Sequence, residues 1–460
     1  MADSNFISSL AGSLSAESRV LSDERSADWK DSMNRWSHYG LKMPSAIVRP
    51  KTEADVVTAV QKLVSASIPF VPASGGHSPF SYIGKEGVVI DLSQFTGVEV
   101  NETKDLATVR GGTLMKELQT SLHAHGRFAA VGSGNTVGVI PYYIGGGISA
   151  YTPLYGYGSE NIVAAKIVTA KGDLVKVSER ENADLFWGLR GAGQFFGLVV
   201  ELTIKISPYS LMGNDQGQRM LGTYIFTLDK LDAVSAAMVP IMESEECASA
   251  GHFSIALAPP DFQHQVLLVA PQVFASAEDA EKLLKPLADL GPIMQTFVPS
   301  TFEKHSDHFD YLCAKGSFKR FTQIGMTGFS KDNFAELINL HSELVKGCPD
   351  AAMSAFSVEW HTPYKGSREV VSFGHAQVDY WMNILSWYQD PKSHDFVDSV
   401  GKKAQAISRK GDDEDAFVTY TNTSRDDPLP WRYKGEERIN RLRALKKEWD
   451  PTGVFTKTFL

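Results

Sequence analysis

The chain has few cysteines: only Cys247, Cys313 and Cys348 occur among its 460 residues. Three thiols so far apart in sequence provide neither a disulfide framework nor a zinc cluster. The chain also has no apolar run long enough to span a membrane, and residues 1–6 lack the basic start and apolar stretch of a secretory signal. These absences predict reduced thiols, no membrane partner and a cytoplasmic location.

Positive charge is also scarce. The 45 basic residues are outnumbered by 54 acidic residues, so the formal net charge is −9, and no long run of lysine or arginine occurs. Such a balance argues against nucleic acid or an anionic membrane as the main partner, because both attract basic surfaces. A small molecule is therefore the expected ligand.

The length of the chain and its 43% hydrophobic content predict about two to three domains with sizeable cores. We expect an N-terminal lead-in over residues 1–39 and a first domain over residues 40–208. Within the first domain, residues 52–55 form a capping-box pattern, Thr113 can cap a helix, and residues 162–177 look like a hairpin. Pro208 marks a boundary, after which strands and helices alternate in a second, α+β domain over residues 209–415. A C-terminal segment, residues 416–460, ends in a basic amphipathic helix.

A glycine loop is the most informative motif of the first domain. The hydrophobic segment 68–71 runs into Ser74-Gly75-Gly76-His77-Ser78. Adjacent glycines let backbone N–H groups approach a ligand closely, and such concave N–H arrays favour a diphosphate. The loop therefore predicts an anion site with a histidine beside it.

Residues 132–147 contain six glycines, which indicates a backbone pressed against a ligand. Gly132-x-Gly134-x-x-x-Gly138 is a poor Rossmann motif, because it has one residue too many before the third glycine. The pairs His123/His125 and His305/His308 have metal-ligand spacing but no acidic or thiolate companions, so we expect no metal site.

With these motifs in this order, the chain resembles the FAD-linked oxidases of the vanillyl-alcohol oxidase and p-cresol methylhydroxylase (PCMH) superfamily, in particular the berberine-bridge-enzyme-like branch. The resemblance rests on the loop at 74–78, on Thr136-Val137-Gly138 with Gly145-Gly146-Gly147, and on Tyr420-Thr421-Asn422. It implies an α+β fold: a two-subdomain FAD-binding domain, a substrate domain with an antiparallel sheet, and a tail that returns to the flavin.

In this family the histidine of the glycine loop is joined covalently to the 8α-methyl group of FAD, which implies His77 here. Bicovalent members carry a cysteine at the position of Gly134, so the resemblance implies no second, cysteinyl bond. The implied FAD-binding residues are Ser74, Gly75, Gly76, His77, Ser78, Gly132, Thr136, Val137, Gly138, Tyr142, Gly145, Gly146, Gly147, Val199 and Asn422.

The resemblance also implies candidates for catalysis. Tyr420 is a candidate base. Tyr142 stands where the family often has histidine, and it either donates a hydrogen bond to the flavin pyrimidine edge or only packs against its neighbours. His375 and Asp379 share one face of an expected strand, either as chemical groups or as pocket lining. The aromatic residues of the second domain would suit a pocket for an apolar or aromatic substrate, and they would equally suit an ordinary core. They include Phe356, Trp360, Tyr364 and Trp387.

The resulting hypothesis is an oxidase that passes a substrate hydride to covalently bound FAD, which O₂ reoxidises. Val137 stands where a small aliphatic side chain accompanies oxygen reactivity in the family, and equally suits a buried strand. The family branch suggests the biosynthesis of a specialised metabolite. The alternatives are a cyclase with a flavin that is not redox-active, and a carbohydrate or alcohol oxidase.

Overall fold

The computed structural model describes residues 3–366, 370–374, 378 and 380–456. In the first part of the chain the helices are α1 Ser4–Ala11, α2 Ala27–Met33, α3 Glu53–Ser65, α4 Met115–Ala124, α5 Val139–Ile144, α6 Thr152–Tyr155 and α7 Ala183–Ala192. The strands are β1 Arg19–Leu21, β2 Ala46–Arg49, β3 Phe70–Ala73, β4 Val88–Asp91, β5 Val98–Val100, β6 Leu106–Arg110, β7 Arg127–Phe128, β8 Ile162–Val168, β9 Leu174–Ser178, β10 Leu198–Lys205 and β11 Ser207–Pro208.

The first sheet has the strand order β1-β2-β4-β3, and β4 runs parallel to both β2 and β3. The crossover helix α3 begins after Thr52, whose hydroxyl accepts a hydrogen bond from the Asp55 N–H in the predicted capping box. β1 pairs antiparallel with β2, so the expected lead-in contributes an edge strand of this sheet. β3 ends at the glycine loop, which places that loop at the carboxyl edge of the parallel strands.

The second sheet has the order β5-β6-β10-β8-β9 and includes the predicted hairpin β8-β9. Its core contains residues of α4, α5 and α7. One detail differs from the sequence prediction. Thr113 does not cap α4, because its hydroxyl donates to the Gly97 carbonyl at 3.1 Å instead.

The second part of the chain contributes β12 Gln218–Phe226, β13 Ser249–Leu257, β14 Gln265–Val273, β15 Met294–Thr301, β16 Phe318–Met326, β17 Ala355–His361, β18 Tyr380–Tyr388 and β19 Val418–Thr419. Its helices are α8 Leu231–Met242, α9 Ala277–Ala288, α10 Lys331–Gly347, α11 His394–Ser408, α12 Leu429–Arg432 and α13 Glu436–Trp449.

These strands form one antiparallel sheet in the order β15-β12-β14-β13-β17-β18-β16-β19. Because side chains alternate along a strand, Phe356, Val358 and Trp360 of β17 share one face. That face packs on α8 to α11 in a large apolar core. The residues between them, Ser357 and Glu359, occupy the opposite face.

The C-terminal segment returns to the first domain. Leu442 and Leu445 of α13 are buried in the same core as α7, and a Cβ on Gly188 of α7 would lie only 2.7 Å from the Leu445 side chain. The predicted α+β fold, with an antiparallel sheet in its second part, is confirmed. The domain limits at 39, 208 and 415 stay predictions. No helix in the described ranges has both the length and the apolar character needed to cross a bilayer.

Candidate active site

The glycine loop after β3 lies directly against the second glycine-rich segment. A Cβ on Gly75 would be 1.8 Å from the Thr136 carbonyl oxygen, and one on Gly138 would be 2.6 Å from the Ser74 hydroxyl. Gly76 has a φ of +74°, a region that glycine adopts without strain. The two loops can therefore approach this closely only with glycine at these positions.

A buried arginine next to this loop lacks hydrogen-bond partners. Arg35 is 3% exposed, and within the described residues its Nε and Nη2 atoms have none. Its side chain lies 3.2–3.3 Å from the Cβ position of Gly76. Burial lowers the pKa of Arg35, against the charges of Asp91 and Tyr82. Because a buried, unpaired cation is costly, a diphosphate at the glycine loop fits this site.

His77 is held between Thr136 of the second glycine-rich segment and Trp36 of the lead-in. Its Nε2 atom lies 2.7 Å from the Thr136 hydroxyl, and its ring stacks on Trp36 at 5.7 Å. Burial, together with the nearby charges of Lys315 and Lys319, lowers the pKa of His77 to about 3. The imidazole is therefore neutral at physiological pH, with Nδ1 as the nitrogen that Thr136 does not engage.

Lys319 of β16 brings a positive charge to this region. Its Nζ donates to the carbonyls of Trp36, Ala314 and Gly316 at 2.6–2.8 Å and lies over the ring of Trp387 at 4.2 Å. Burial lowers the pKa of Lys319 to about 8. Three carbonyl acceptors and an aromatic face stabilise the ammonium form.

The third glycine segment meets the C-terminal segment. The Tyr420 hydroxyl accepts hydrogen bonds from the Gly147 N–H and from Asn422 Nδ2, each at 3.2 Å. A Cβ on Gly145 would lie within 2.2 Å of the Asn422 amide. The structure thus brings together Gly145–Gly147 and the Tyr-x-Asn motif, which are more than 270 residues apart in the chain.

Tyr142 and Val199 are buried in the core of the first domain, beneath the glycine loops. The Tyr142 hydroxyl donates to the Ile148 carbonyl at 2.9 Å, and its ring lies beside the Cβ positions of Gly132 and Gly147. Burial raises the pKa of Tyr142 well above its usual value. This placement favours the packing interpretation of Tyr142. Val199 is 5% exposed on β10, in the core of the first domain.

A carboxylate occupies the sheet face opposite the helices. Glu359 Oε1 lies 3.2 Å from His361 Nε2, and Glu359 Oε2 accepts from Asn383 Nδ2 at 2.8 Å. Burial by itself raises the pKa of Glu359. The contact with His361, the charges of His252 and His361, and the Asn383 hydrogen bond outweigh it and bring the pKa to about 2. Glu359 is therefore ionised at neutral pH.

Glu359 acts electrostatically on Tyr420. Burial is the main cause that raises the pKa of Tyr420 to about 12, and the charge of Glu359 adds to it. The hydrogen bonds from Gly147 and Asn422 oppose this rise. The Tyr420 hydroxyl is thus protonated at neutral pH and has two donors that would stabilise it as an anion. The charge of Glu359 disfavours the tyrosinate and the two donors favour it, so the balance between them sets the pKa of this hydroxyl.

Several sequence candidates lie elsewhere. Phe356 and Trp360 belong to the core between sheet and helices, which is the second of the two interpretations given for the aromatic residues. Trp387 lies on the opposite face, beside Lys319. His375 and Asp379 fall outside the described residues. His123 contacts Tyr209 and His308 contacts Ser300, and the described ranges contain no group of three metal-ligating side chains.

Comparison with known proteins gives a consistent result. An FAD-binding domain model matches residues 44–178. The chain is similar to the FAD-linked oxidoreductase hasG of Aspergillus fumigatus, 28% identical over 98% of each chain. It is also similar to fogF of Aspergillus ruber, 28% identical over 96% of this chain and 90% of that protein.

Solved structures share the fold at 19–20% identity. BBE-like 1 of Physcomitrella patens has a TM-score of 0.83 over 99% of both chains. The glucooligosaccharide oxidase of Acremonium strictum, which carries a 6-S-cysteinyl, 8α-N1-histidyl FAD, has a TM-score of 0.81 over 99% of this chain and 98% of its own. The chain is an FAD-linked oxidoreductase that shares the fold of BBE-like 1. FAD is accordingly the group that Arg35 and the glycine cradle of this oxidoreductase would hold.

Sequence reasoning missed several site residues of this oxidoreductase: Arg35, Trp36, His252, Lys319, Glu359, His361 and Asn383. One signal was present for part of this set. Ser357, Glu359 and His361 alternate with the apolar Phe356, Val358 and Trp360, which is the period of a strand with one polar face. The opposing partners on β13 and β18 could not be found without the strand order.

Proposed function

We propose that this oxidoreductase is an oxidase that removes a hydride from a small metabolite in specialised metabolism and passes the electrons to O₂. The observation that carries the proposal is the meeting of Tyr420 with the Gly145–Gly147 loop on one side and the charge of Glu359 on the other. The position of Tyr420 between these loops and the sheet face supports a role in proton transfer.

FAD, when bound, supplies the two-electron acceptor for the substrate hydride. The residues of the chain bind and attach the cofactor and transfer the proton. The backbone of residues 74–78 and Arg35 would bind the diphosphate, and Thr136 holds His77 Nε2, which leaves Nδ1 as the nitrogen for covalent attachment. An N1-histidyl bond of this kind is present in the Acremonium strictum oxidase.

Tyr420 takes the substrate proton at its hydroxyl oxygen in the phenolate form, after its own proton has passed to solvent. The N–H of Gly147 and the amide of Asn422 donate to the same oxygen, so they stabilise the charge that develops there. Glu359 stays ionised because His361 and Asn383 contact both of its oxygens. Asn422 positions Tyr420 and donates to the proline carbonyl at residue 141.

The sheet face suggests the character of the substrate. Trp387 offers an apolar surface, whereas Ser254, Ser357 and Asn383 provide buried hydroxyl and amide groups. A substrate with an aromatic or apolar body and at least one hydroxyl group matches both. The same polar groups favour a second candidate, a carbohydrate or alcohol oxidase, which is the activity named for several structural neighbours.

Anaerobic mixing tests the redox assignment. The purified protein is combined with a panel of phenolic and benzylic alcohols and, separately, oligosaccharides, and the flavin absorbance near ~450 nm is recorded. Bleaching by a substrate, reversed by O₂ with formation of H₂O₂, is the expected result. Product formation without bleaching or O₂ uptake would contradict the oxidase and favour a cyclase.

Covalent attachment is tested on the wild-type holoprotein. Acid precipitation is expected to leave the yellow colour in the pellet, and peptide mass spectrometry is expected to find FAD on the peptide that contains His77. A colourless pellet from flavin-loaded protein would contradict attachment.

A further inference from the structure

A buried arginine of the large sheet has no anionic partner. Arg219 of β12 is 1% exposed, and its Nη2 atom has no hydrogen-bond partner in the described ranges. Its other nitrogens donate to the Gln272 side chain, the Tyr151 hydroxyl and the Thr301 carbonyl at 2.8–3.3 Å. Burial lowers the pKa of Arg219, and among the described residues the Tyr151 hydroxyl, rather than a carboxylate, opposes this effect. Such a cation is costly to bury alone, which indicates that an anion pairs with it.

His305 is a second buried side chain without a partner, and it lies beside Arg219. Its ring is completely buried, and neither Nδ1 nor Nε2 has a hydrogen-bond partner within the part of the chain that the structure describes. The ring centroids of His305 and Tyr151 are 5.2 Å apart, and Arg219 Cζ lies 5.8 Å from the centroid of the same tyrosine ring. Burial, and then the charges of Arg219 and His308, lower the pKa of His305 well below its usual value. The ring is therefore neutral and has one N–H donor.

Tyr151 supplies a third donor. Its hydroxyl accepts from Arg219 Nη1, and no acceptor for its own hydrogen occurs among the described residues. Burial raises the pKa of Tyr151 to about 12, against the charge of Arg219, so the hydroxyl keeps its proton at neutral pH. Arg219, Tyr151 and His305 thus place three buried donors around one aromatic ring. Buried donors of this kind require acceptors, and a charged set of them favours an oxyanion.

This donor cluster lies on the same sheet face as Glu359. A row of directly opposed residues crosses the sheet from β12 to β17: Leu221, Gln272, Ala250 and His361. Opposed residues project to the same face, as do positions two apart along one strand, so Arg219 shares the face of Glu359. Phe309 connects the two groups, because its ring lies 6.3 Å from both His252 and His305. Three strand spacings separate β12 from β17, roughly 14 Å.

We propose that Arg219, Tyr151 and His305 bind a carboxylate group of the substrate, at the end of the sheet face remote from Tyr420. The planar guanidinium suits the two oxygens of a carboxylate. The negative charge of Glu359 repels the same group, so an acidic substrate is favoured in one orientation, with its reacting C–H bond near Tyr420. The inference rests on the proposed oxidase function and names its substrate class: an elongated alcohol or phenol that carries a carboxylic acid.

Binding of benzoate to the flavin-loaded protein tests the site without turnover. The unfolding temperature is measured against rising sodium benzoate, with benzamide as the uncharged match and sodium chloride at equal ionic strength. Benzoate alone is expected to raise the unfolding temperature, because a ligand that binds only the folded state stabilises it. Absence of this rise, or an equal rise with chloride, would overturn the carboxylate site.

Two variants place the benzoate at the cluster. Arg219→Gln is expected to weaken benzoate binding about 10–100-fold, because hydrogen bonds to a charged group are lost. His305→Phe keeps the aromatic packing and removes one donor, so binding should weaken about 10-fold without loss of stability. Arg110→Gln is the control, because Arg110 pairs with Glu99 at the surface. Unchanged benzoate binding in either folded cluster variant would overturn the assignment.

Matched substrates identify the source of the carboxylate. Anaerobic flavin reduction is measured with an aryl alcohol that carries an extended carboxylic acid and with its methyl ester. Wild type should be half-saturated at about 10–100-fold lower acid than ester, and Arg219→Gln should lose this difference. Equal half-saturation would overturn the substrate carboxylate and, with benzoate binding retained, assign the site to a free carboxylate. Benzoate binding without flavin reduction by any compound would contradict the proposed oxidase function and leave the carboxylate site standing.

Discussion

The two halves of the site are built from different parts of the chain. On the cofactor side, backbone atoms make the contacts, and glycines at 75, 138 and 145 allow loops to approach within distances that a Cβ would prevent. On the substrate side, the eight-stranded sheet contributes side chains from β13, β16, β17 and β18. Backbone contacts depend on one residue type at fixed positions, whereas side-chain contacts depend on which strands are neighbours.

This difference predicts different responses to substitution. A change in the loops should affect cofactor content and folding, and a change on the sheet face should affect turnover and pH dependence while the flavin remains. Four substitutions and one control variant test this contrast, from the largest expected effect to the smallest.

Gly75→Ala should have the largest effect. The new Cβ would lie 1.8 Å from the Thr136 carbonyl oxygen, a backbone atom that cannot move aside without displacing the second loop. We expect protein with little or no bound flavin and a free energy of unfolding lower by about 1–3 kcal/mol. The measurements are the ratio of flavin to protein absorbance and denaturant unfolding.

Gly328→Ala is the matched control, because Gly328 is exposed and no atom lies within 4 Å of its Cβ position. It should retain full flavin content. If Gly75→Ala also purified with full flavin content, close backbone approach would not be what forms the cofactor side.

Tyr420→Phe should remove the proton-transfer group and leave the cofactor loops in place. We expect turnover to fall by about 10²–10⁴-fold, the usual contribution of a general acid or base, with unchanged flavin content. Steady-state kinetics and anaerobic flavin reduction measure the effect. A variant with near wild-type reduction rates would remove Tyr420 from the chemistry.

Glu359→Gln should change the pH dependence of stability. The pKa of Glu359 is lowered to about 2 from its ordinary 4.5, so its contribution is present above pH 4.5 and is lost as the pH falls towards 2. At neutral pH the variant should be about 1–3 kcal/mol less stable, because hydrogen bonds to the charge are lost.

Urea unfolding of the holoprotein at several pH values measures the difference between wild type and Glu359→Gln. The difference should shrink between pH 4.5 and pH 2. A difference that stays constant over this range would mean that Glu359 is not the group that titrates.

Tyr142→Phe should have the smallest effect. Its hydroxyl donates to the Ile148 carbonyl, so its loss should cost about 1 kcal/mol of stability and change turnover only a few-fold. It also serves as the control for Tyr420→Phe, since both tyrosines are buried near the third glycine loop. A fall comparable to that of Tyr420→Phe would instead give Tyr142 a catalytic role.

The fold and the cofactor side were largely predictable from sequence. The Thr52 capping box, the Gly75-Gly76-His77 loop and the Tyr420-x-Asn422 motif each rely on local rules, and the structure has the helix, the loop and the contact with Gly147 where these rules indicate. The substrate side was less predictable. The aromatic residues Phe356 and Trp360 proved to be core, because one strand cannot show which of its faces meets helices.

The sequence by itself determined where the backbone must approach other atoms closely, since a Cβ at residue 75, 76 or 145 would lie within 3.2 Å of a neighbouring atom. Only the tertiary structure decided which residues surround these positions. It brought Arg35 to Gly76, Glu359 within electrostatic reach of Tyr420, and Cys313 to the side of Gly134. These pairs are separated by about 40 to 180 residues, and long-range packing, which no local pattern records, sets their distances.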